Sequence, residues 1–174
     1  TPGAGAREIW KDCLYTPFPN PAYALGFHDN AQLEIGHIGV TPGYTYANVD
    51  SVDVTVHGVG GHGAYPHKTK DPIVLSAEII NMWQTIASRE VNPIDPVVLT
   101  VGSIHGGTKH NIIGNEVKMQ LTVRTYKSEV RKQVLDAIAQ IAKGCASAGR
   151  GPPDKPPAVQ AREEGFPPCT PNQP

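Results

Sequence analysis

Two stretches of strict alternation decide most of what this chain can become. In "SVDVTVH" (51–57), Val52, Val54 and Val56 fall on one side and Ser51, Asp53, Thr55 and His57 on the other. In "EVKMQLTVRT" (116–125), Val117, Met119, Leu121 and Val123 oppose Lys118, Gln120, Thr122 and Arg124. A period of two with one apolar face predicts a half-buried strand, and that face needs a cover. The cover is legible nearby. Asp71 and Pro72 supply an N-cap and first turn for a helix to about Arg89, with Ile73, Ala77, Ile80, Trp83 (beside Met82) and Ala87 at helical spacing. Ser128 is placed to cap a second helix with the stripe Val130, Val134, Ile138 and Ile141, ending near Gly144 or Gly149. "PVVLTVGSI" from Pro96 and "AVQAR" from Ala158 add two further strands.

From residue 51 to about 163 the order is therefore β-α-β-β-α-β. That is the split pattern of an α+β, ferredoxin-like sandwich, in which two helices cover one face of a sheet. The flanks differ. Before Ser51 stand a helix-like "AREIWKDCLY", a turn "TPFPNP", and two strand candidates, "AYALGFH" and "LEIGHIGV". After the last strand, "EEGFPPCTPNQP" is proline-rich and lacks an apolar period. Residues 49–163 are expected to form one domain, with 1–48 and 164–174 as partial segments of another, α/β in kind.

Composition excludes more than it assigns. Fifteen basic against sixteen acidic residues give a formal charge of -1, and no run of Lys or Arg is dense enough to follow a phosphate backbone, so nucleic acid is not the expected partner. The apolar runs are short and interrupted, so no membrane span is expected. Cys13, Cys145 and Cys169 have no metal or disulfide spacing, which fits a reducing, cytoplasmic setting.

The segment "GVGGHGAYPH" (58–67) carries Gly58, Gly60 and Gly63 in a G-x-G-x-x-G pattern. A dinucleotide fingerprint needs a helix beginning at the last glycine and a parallel strand after it. Here Ala64, Tyr65 and Pro66 intervene, the helix waits until about Asp71, and the next strand enters a strand-to-strand loop. The alternative is that small residues leave His62 free to project, where an imidazole can donate to a developing oxyanion or to a carboxylate. An exposed histidine in a plain turn is the competing explanation.

Beyond these local patterns, "VHGVGGHGAYPHKTKDPI", "VGSIHGGTKHNII" and "LTVRT" resemble, in order and spacing, the lid domain of the metal-dependent aminoacylase and exopeptidase family. The nearest branch looks like hippurate hydrolases and the amidohydrolases of indole-acetyl-amino acids. Succinyl-diaminopimelate desuccinylases share the histidine turn more distantly. "GAGAREIWKDCLYTPFPNPAYALGFHD" resembles the stretch after the paired catalytic glutamates, and "EEGFPPCTPN" the return to the catalytic domain.

The resemblance implies a hydrolase of N-acyl amino acids, hippurate-like in substrate, with two divalent ions such as zinc or manganese and a homodimer formed through the lid. His28 in "ALGFHD" is implied as a metal ligand. His62 is implied to reach the partner's site and bind the carbonyl oxygen as it becomes an oxyanion. Asn111, matching the family's N-x-I-P loop, and Arg124 are implied to hold the polar end of the substrate, while His67 reads as structural. Gly114 stands where proline is usual and Asn115 where an acid is common, which predicts a looser loop around Asn111. Cys13 replaces a glycine. The other metal ligands and the glutamate pair that such catalysis needs are not in these residues, so the chain by itself is expected to be inactive. A free-standing ferredoxin-like interaction module is the alternative.

Overall fold

The computed structural model describes residues 26–163 throughout, together with residues 8–9, 11–12, 19 and 22–23. Cys13, Cys169, the tail 164–174 and most of the helix-like stretch 6–15 lie outside the described residues. Strand β1 (Asp50–His57) is followed by a two-residue strand β2 (Gly61–His62), helix α1 (Pro72–Thr85) and strand β3 (Val98–Gly106). Then come a second two-residue strand β4 (Ile112–Ile113), strand β5 (Glu116–Arg124), helix α2 (Ser128–Ala148) and strand β6 (Ala158–Glu163). The four long strands form one sheet in the order β3-β5-β1-β6, with every neighbouring pair antiparallel. The short strands β2 and β4 pair separately.

Alternation places the core where the sequence put it. Val52, Val54, Val56, Val117, Met119, Leu121 and Val123 turn one face of the sheet toward the helices. Leu75, Ile79 and Trp83 of α1 and Val130, Val134 and Ile138 of α2 meet that face. Burying side chains of this size stabilises the fold by about 1.5–3 kcal/mol each, before the entropy of ordering them is set against it. Trp83 is fully buried, and its Nε1–H donates to the carbonyl of Ile138 at 3.1 Å, which joins the two helices at one point. At the start of β1, the buried carboxylate of Asp50 accepts two bonds from Arg131 at 2.7 and 2.8 Å. This pairing supplies the partner that a buried charge requires. No helix among the described residues is long and apolar enough to cross a membrane.

Three local expectations fail. The buried face of α1 is Leu75, Ser76, Ile79 and Trp83, continued by Ile86 in a wide π turn at Ile86–Glu90, while Ile73 and Met82 are half exposed. The helix carries apolar residues on two faces, and periodicity alone could not say which one met the sheet. The stretch 33–40 and residues 26–28 are not strands, because no partner strand lies beside them among the described residues. Ser128 is the first residue of α2 and not its cap; the capping position is Lys127, whose side chain makes no capping bond.

Candidate functional site

The site is built where the segment after β1 folds against the loop before β5. The Gly58 N–H donates to the carbonyl of Asn115 at 2.7 Å, and the Gly60 N–H donates to Asn115 Oδ1 at 2.9 Å. Farther along, the Gly63 N–H donates to the carbonyl of Asn111 at 2.8 Å, so the two segments are clipped together along their length. Such closeness leaves no room for side chains. A Cβ at Gly58 would lie 2.4 Å from the Lys70 carbonyl oxygen, and one at Gly60 would lie 2.8 Å from Asn115 Oδ1. Protein atoms therefore occupy the faces where a cradled phosphate would have to sit, and α1 begins only at Pro72, capped by Asp71.

His62 stands exposed at the end of β2, paired to Ile112. The Ala64 N–H donates to His62 Nδ1 at 3.1 Å, and the His62 carbonyl accepts from the Tyr65 N–H at 2.8 Å. Since Nδ1 is an acceptor here, the neutral ring carries its proton on Nε2 and presents an N–H donor outward. The Tyr65 ring lies 5.6 Å from the His62 ring and 6.1 Å from that of His67, with Lys68 Nζ 5.6 Å from its centroid. His67 thus meets the turn edge-on through the Tyr65 ring.

Asn111 lies directly across the ladder from this turn. Its backbone is held by Gly63, but its Oδ1 is buried and finds no hydrogen-bond partner. A buried carbonyl oxygen without a donor is costly, so this position is held by the backbone ladder and not by its side chain. Asn115, expected to loosen the loop, clamps it through both its carbonyl and its side chain. Sequence reasoning missed that role and that of Tyr65, because neither has a spacing signature.

Arg124 is exposed at the opposite end of β5, paired with Val98. The nine residues of β5 separate it from the His62 loop by about 27 Å at the usual strand rise. One protomer thus brings His62 and Asn111 together and leaves Arg124 apart. His28 is exposed, with Nδ1 2.7 Å from the carbonyl oxygen of Asp29 and 3.2 Å from its carboxylate. A carbonyl only accepts, so Nδ1 carries the proton and Nε2 keeps a free lone pair, the arrangement common in metal-binding imidazoles. No group of three or more His, Cys, Asp or Glu able to hold a metal occurs among the described residues. The described residues therefore assemble no metal centre of their own.

Residues 44–148 match the family described as the peptidase dimerisation domain of M20 peptidases. The chain belongs to that family. This dimerisation domain is 34% identical over 144 residues to the N-acetyldiaminopimelate deacetylase of Listeria monocytogenes serotype 4a, covering 83% of this chain and 38% of that protein. It is 36% identical over 146 residues to the N-acetyl-L-cysteine deacetylase of Bacillus subtilis, covering 84% of the chain and 34% of that protein. The chain thus spans little more than a third of the length of these curated relatives. Among solved structures, a putative aminohydrolase from methicillin-resistant Staphylococcus aureus superposes with a TM-score of 0.68 at 25% identity, covering 75% of this chain and 32% of that one. The Bacillus subtilis YXEP protein, titled a dinuclear metal binding peptidase of the M20 family, shares the fold with a TM-score of 0.64 at 22% identity, covering 95% and 38%. Both sequence relatives are named as deacetylases, whereas the motifs pointed toward a hippurate-hydrolysing branch.

Proposed function

We propose that this dimerisation domain is the lid of a metal-dependent amidohydrolase that cleaves N-acyl amino acids to a carboxylate and a free amino acid. In this proposal residues 49–163 are a ferredoxin-like lid, residues 1–48 and 164–174 belong with a catalytic α/β part, and the enzyme is a cytoplasmic homodimer. The sheet order β6-β1-β5-β3 supports the lid assignment, since it is the 4-1-3-2 order of the split β-α-β pattern. The deacetylase relatives favour acetyl over benzoyl as the group removed. Comparing turnover of N-acetyl amino acids with that of N-benzoylglycine separates the two.

The observation that carries the proposal is the exposed His62 ring, whose Nδ1 accepts from the Ala64 N–H and so leaves Nε2–H free to donate, on a ladder whose next backbone bond is to Asn111. When an amide carbon becomes tetrahedral its oxygen gains negative charge. A donor already fixed toward that position stabilises the transition state more than the ground state. Loss of one such donor costs about 100- to 1,000-fold in turnover. Asn111 can hold a polar group of the substrate through its carboxamide. Divalent ions, zinc or manganese, would polarise the carbonyl and lower the pKa of water, with His28 Nε2 as one ligand to ions otherwise held outside the described residues.

Because Arg124 stands a strand length away, His62 and Asn111 are assigned to the partner's site and Arg124 to the site of its own protomer. Mixing subunits tests this in the complete enzyme. His62→Ala and Arg124→Ala homodimers should both be nearly inactive. Random exchange between them should restore about a quarter of the sites, because half of the dimers are mixed and each mixed dimer keeps one intact site. No recovery on mixing would place both residues in one site from one protomer. A free-standing interaction module is less well supported, since it would leave Phe27, Ile35, Ile38 and Val40 in water without a role.

A further inference from the structure

We propose that the dimerisation domain carries a second binding site, for a small phosphorylated anion, at the end of the sheet where β1 and α2 meet the turn 152–157. A cavity of about 520 Å³ opens there, within the range of about 300–1,000 Å³ usual for small-molecule sites. His57, Lys70, Lys143, Arg150 and Lys155 line it, and no carboxylate does. Glu116, the register partner of His57, is turned to Lys118 at 3.0 Å, and Asp154 of the turn is not part of the wall.

The charges around this cavity are segregated. Lys118, Lys127, Arg131, Lys132 and Arg162 elsewhere each hold a carboxylate. Lys70, Lys143, Arg150 and Lys155 pair with none among the described residues. Like charges gathered without counter-charges repel one another, and a bound anion relieves that repulsion.

The C-terminal dipole of α2 does not account for the cluster. It amounts to about half a charge acting within the last turn. The carbonyls there are already satisfied, since Gly149, Arg150 and Gly151 N–H groups donate to Cys145, Ser147 and Ala146. Arg150 adds an independent sign. It is the one non-glycine residue with positive φ among the described residues, at 56°. Glycine is the usual choice just past a helix end, and glycines stand on both sides at 149 and 151. An arginine in that left-handed position works against its own backbone preference, as residues at binding sites do. Pro152, Pro153, Pro156 and Pro157 also line the cavity, and their fixed φ stiffens that part of its wall.

One guanidinium fork with several ammonium groups suits phosphoryl oxygens, which carry more charge than a single carboxylate offers to five cationic or titratable groups. The site is separate from the His62 turn, although Lys70 belongs to both neighbourhoods: its backbone pairs with Val59 while its side chain lines the cavity.

The test uses the 174-residue chain, with inorganic pyrophosphate as the probe, by calorimetry at low salt and by amide chemical shifts. Saturable one-site binding is expected, with shifts confined to residues near 57, 70 and 143–157. Arg150→Gly and the double variant Lys143→Gln/Lys155→Gln should each bind at least about tenfold more weakly. Arg150→Gly should melt at or above the temperature of the parent chain, because glycine suits that position. Unchanged affinity in both variants, or shifts spread over the whole surface, would overturn the site. Citrate binding as tightly as pyrophosphate would overturn its phosphoryl preference.

Discussion

At Gly58 the chain tolerates no side chain at all. A methyl group there would meet the Lys70 carbonyl at 2.4 Å and the Pro72 ring at 2.5 Å, and both belong to backbone or ring atoms that cannot swing away. Gly58→Ala should therefore destabilise by about 1–3 kcal/mol, the usual range for overpacking, read as a lower urea midpoint at unchanged slope. A midpoint equal to that of the parent would mean that the loop has slack. Asp53 makes a second residue-scale prediction, on pH. Its side chain accepts from Gln120 at 3.1 Å and pairs with Arg162, and these bonds, Gln120 first, hold its carboxyl below the usual carboxylate range. A depressed folded pKa contributes stability above the unfolded value of about 3.9, lost as pH falls through the folded value. Denaturant midpoints of the parent and Asp53→Asn should thus differ most above the usual carboxylate range and draw together as pH falls through the lowered folded value. A gap that stays constant across this range would show that the carboxylate is not the cause.

The two helices depend on each other through Trp83. The indole fills the space under α1, and its N–H reaches the Ile138 carbonyl of α2. Trp83→Phe keeps a ring but loses the bond and some volume, which should cost about 1–2 kcal/mol; Trp83→Ala should cost about 3–5 kcal/mol. A Trp83→Phe variant that melts at the parent temperature would argue against the bond. Elements of this length were legible because their period repeats several times. β1 and β5 gave their inward faces correctly, and α2 gave Val130, Val134 and Ile138. The face of α1 was not legible, since Ile73, Val74 and Met82 form an outer apolar surface that mimics a core stripe. Strands β2 and β4 were invisible because two residues cannot show alternation, although they join His62 to Asn111. His62 itself could be singled out from its small-residue turn. The cationic cavity could not, because its five residues come from positions 57, 70, 143, 150 and 155 and meet only once the chain is folded.

On the scale of the whole molecule, the unspent surface lies along β3. This strand is an edge, with β5 as its one neighbour, so its outer backbone groups face outward without a ladder. Val98 and Ile104 on it are 47% and 50% exposed, and Ile73 of α1, 46% exposed, lies over Gly107 just past its end. The opposite edge, β6, instead shows Gln160, Ala161 and an Arg162 tied to Asp53. An apolar edge flanked by an apolar helix face is the surface expected to meet a second copy, so light scattering should give twice the chain mass of 18.6 kDa. Lysine on an edge strand discourages pairing, so Ile73→Lys/Ile104→Lys should scatter as a single chain with an unchanged far-ultraviolet spectrum. A variant that keeps the doubled mass would move the interface elsewhere. The same pair of substitutions in the complete enzyme joins assembly to chemistry: if His62 acts only across the dimer, separated protomers should lose turnover as fully as His62→Ala does, and their activity should return as protein concentration drives residual association.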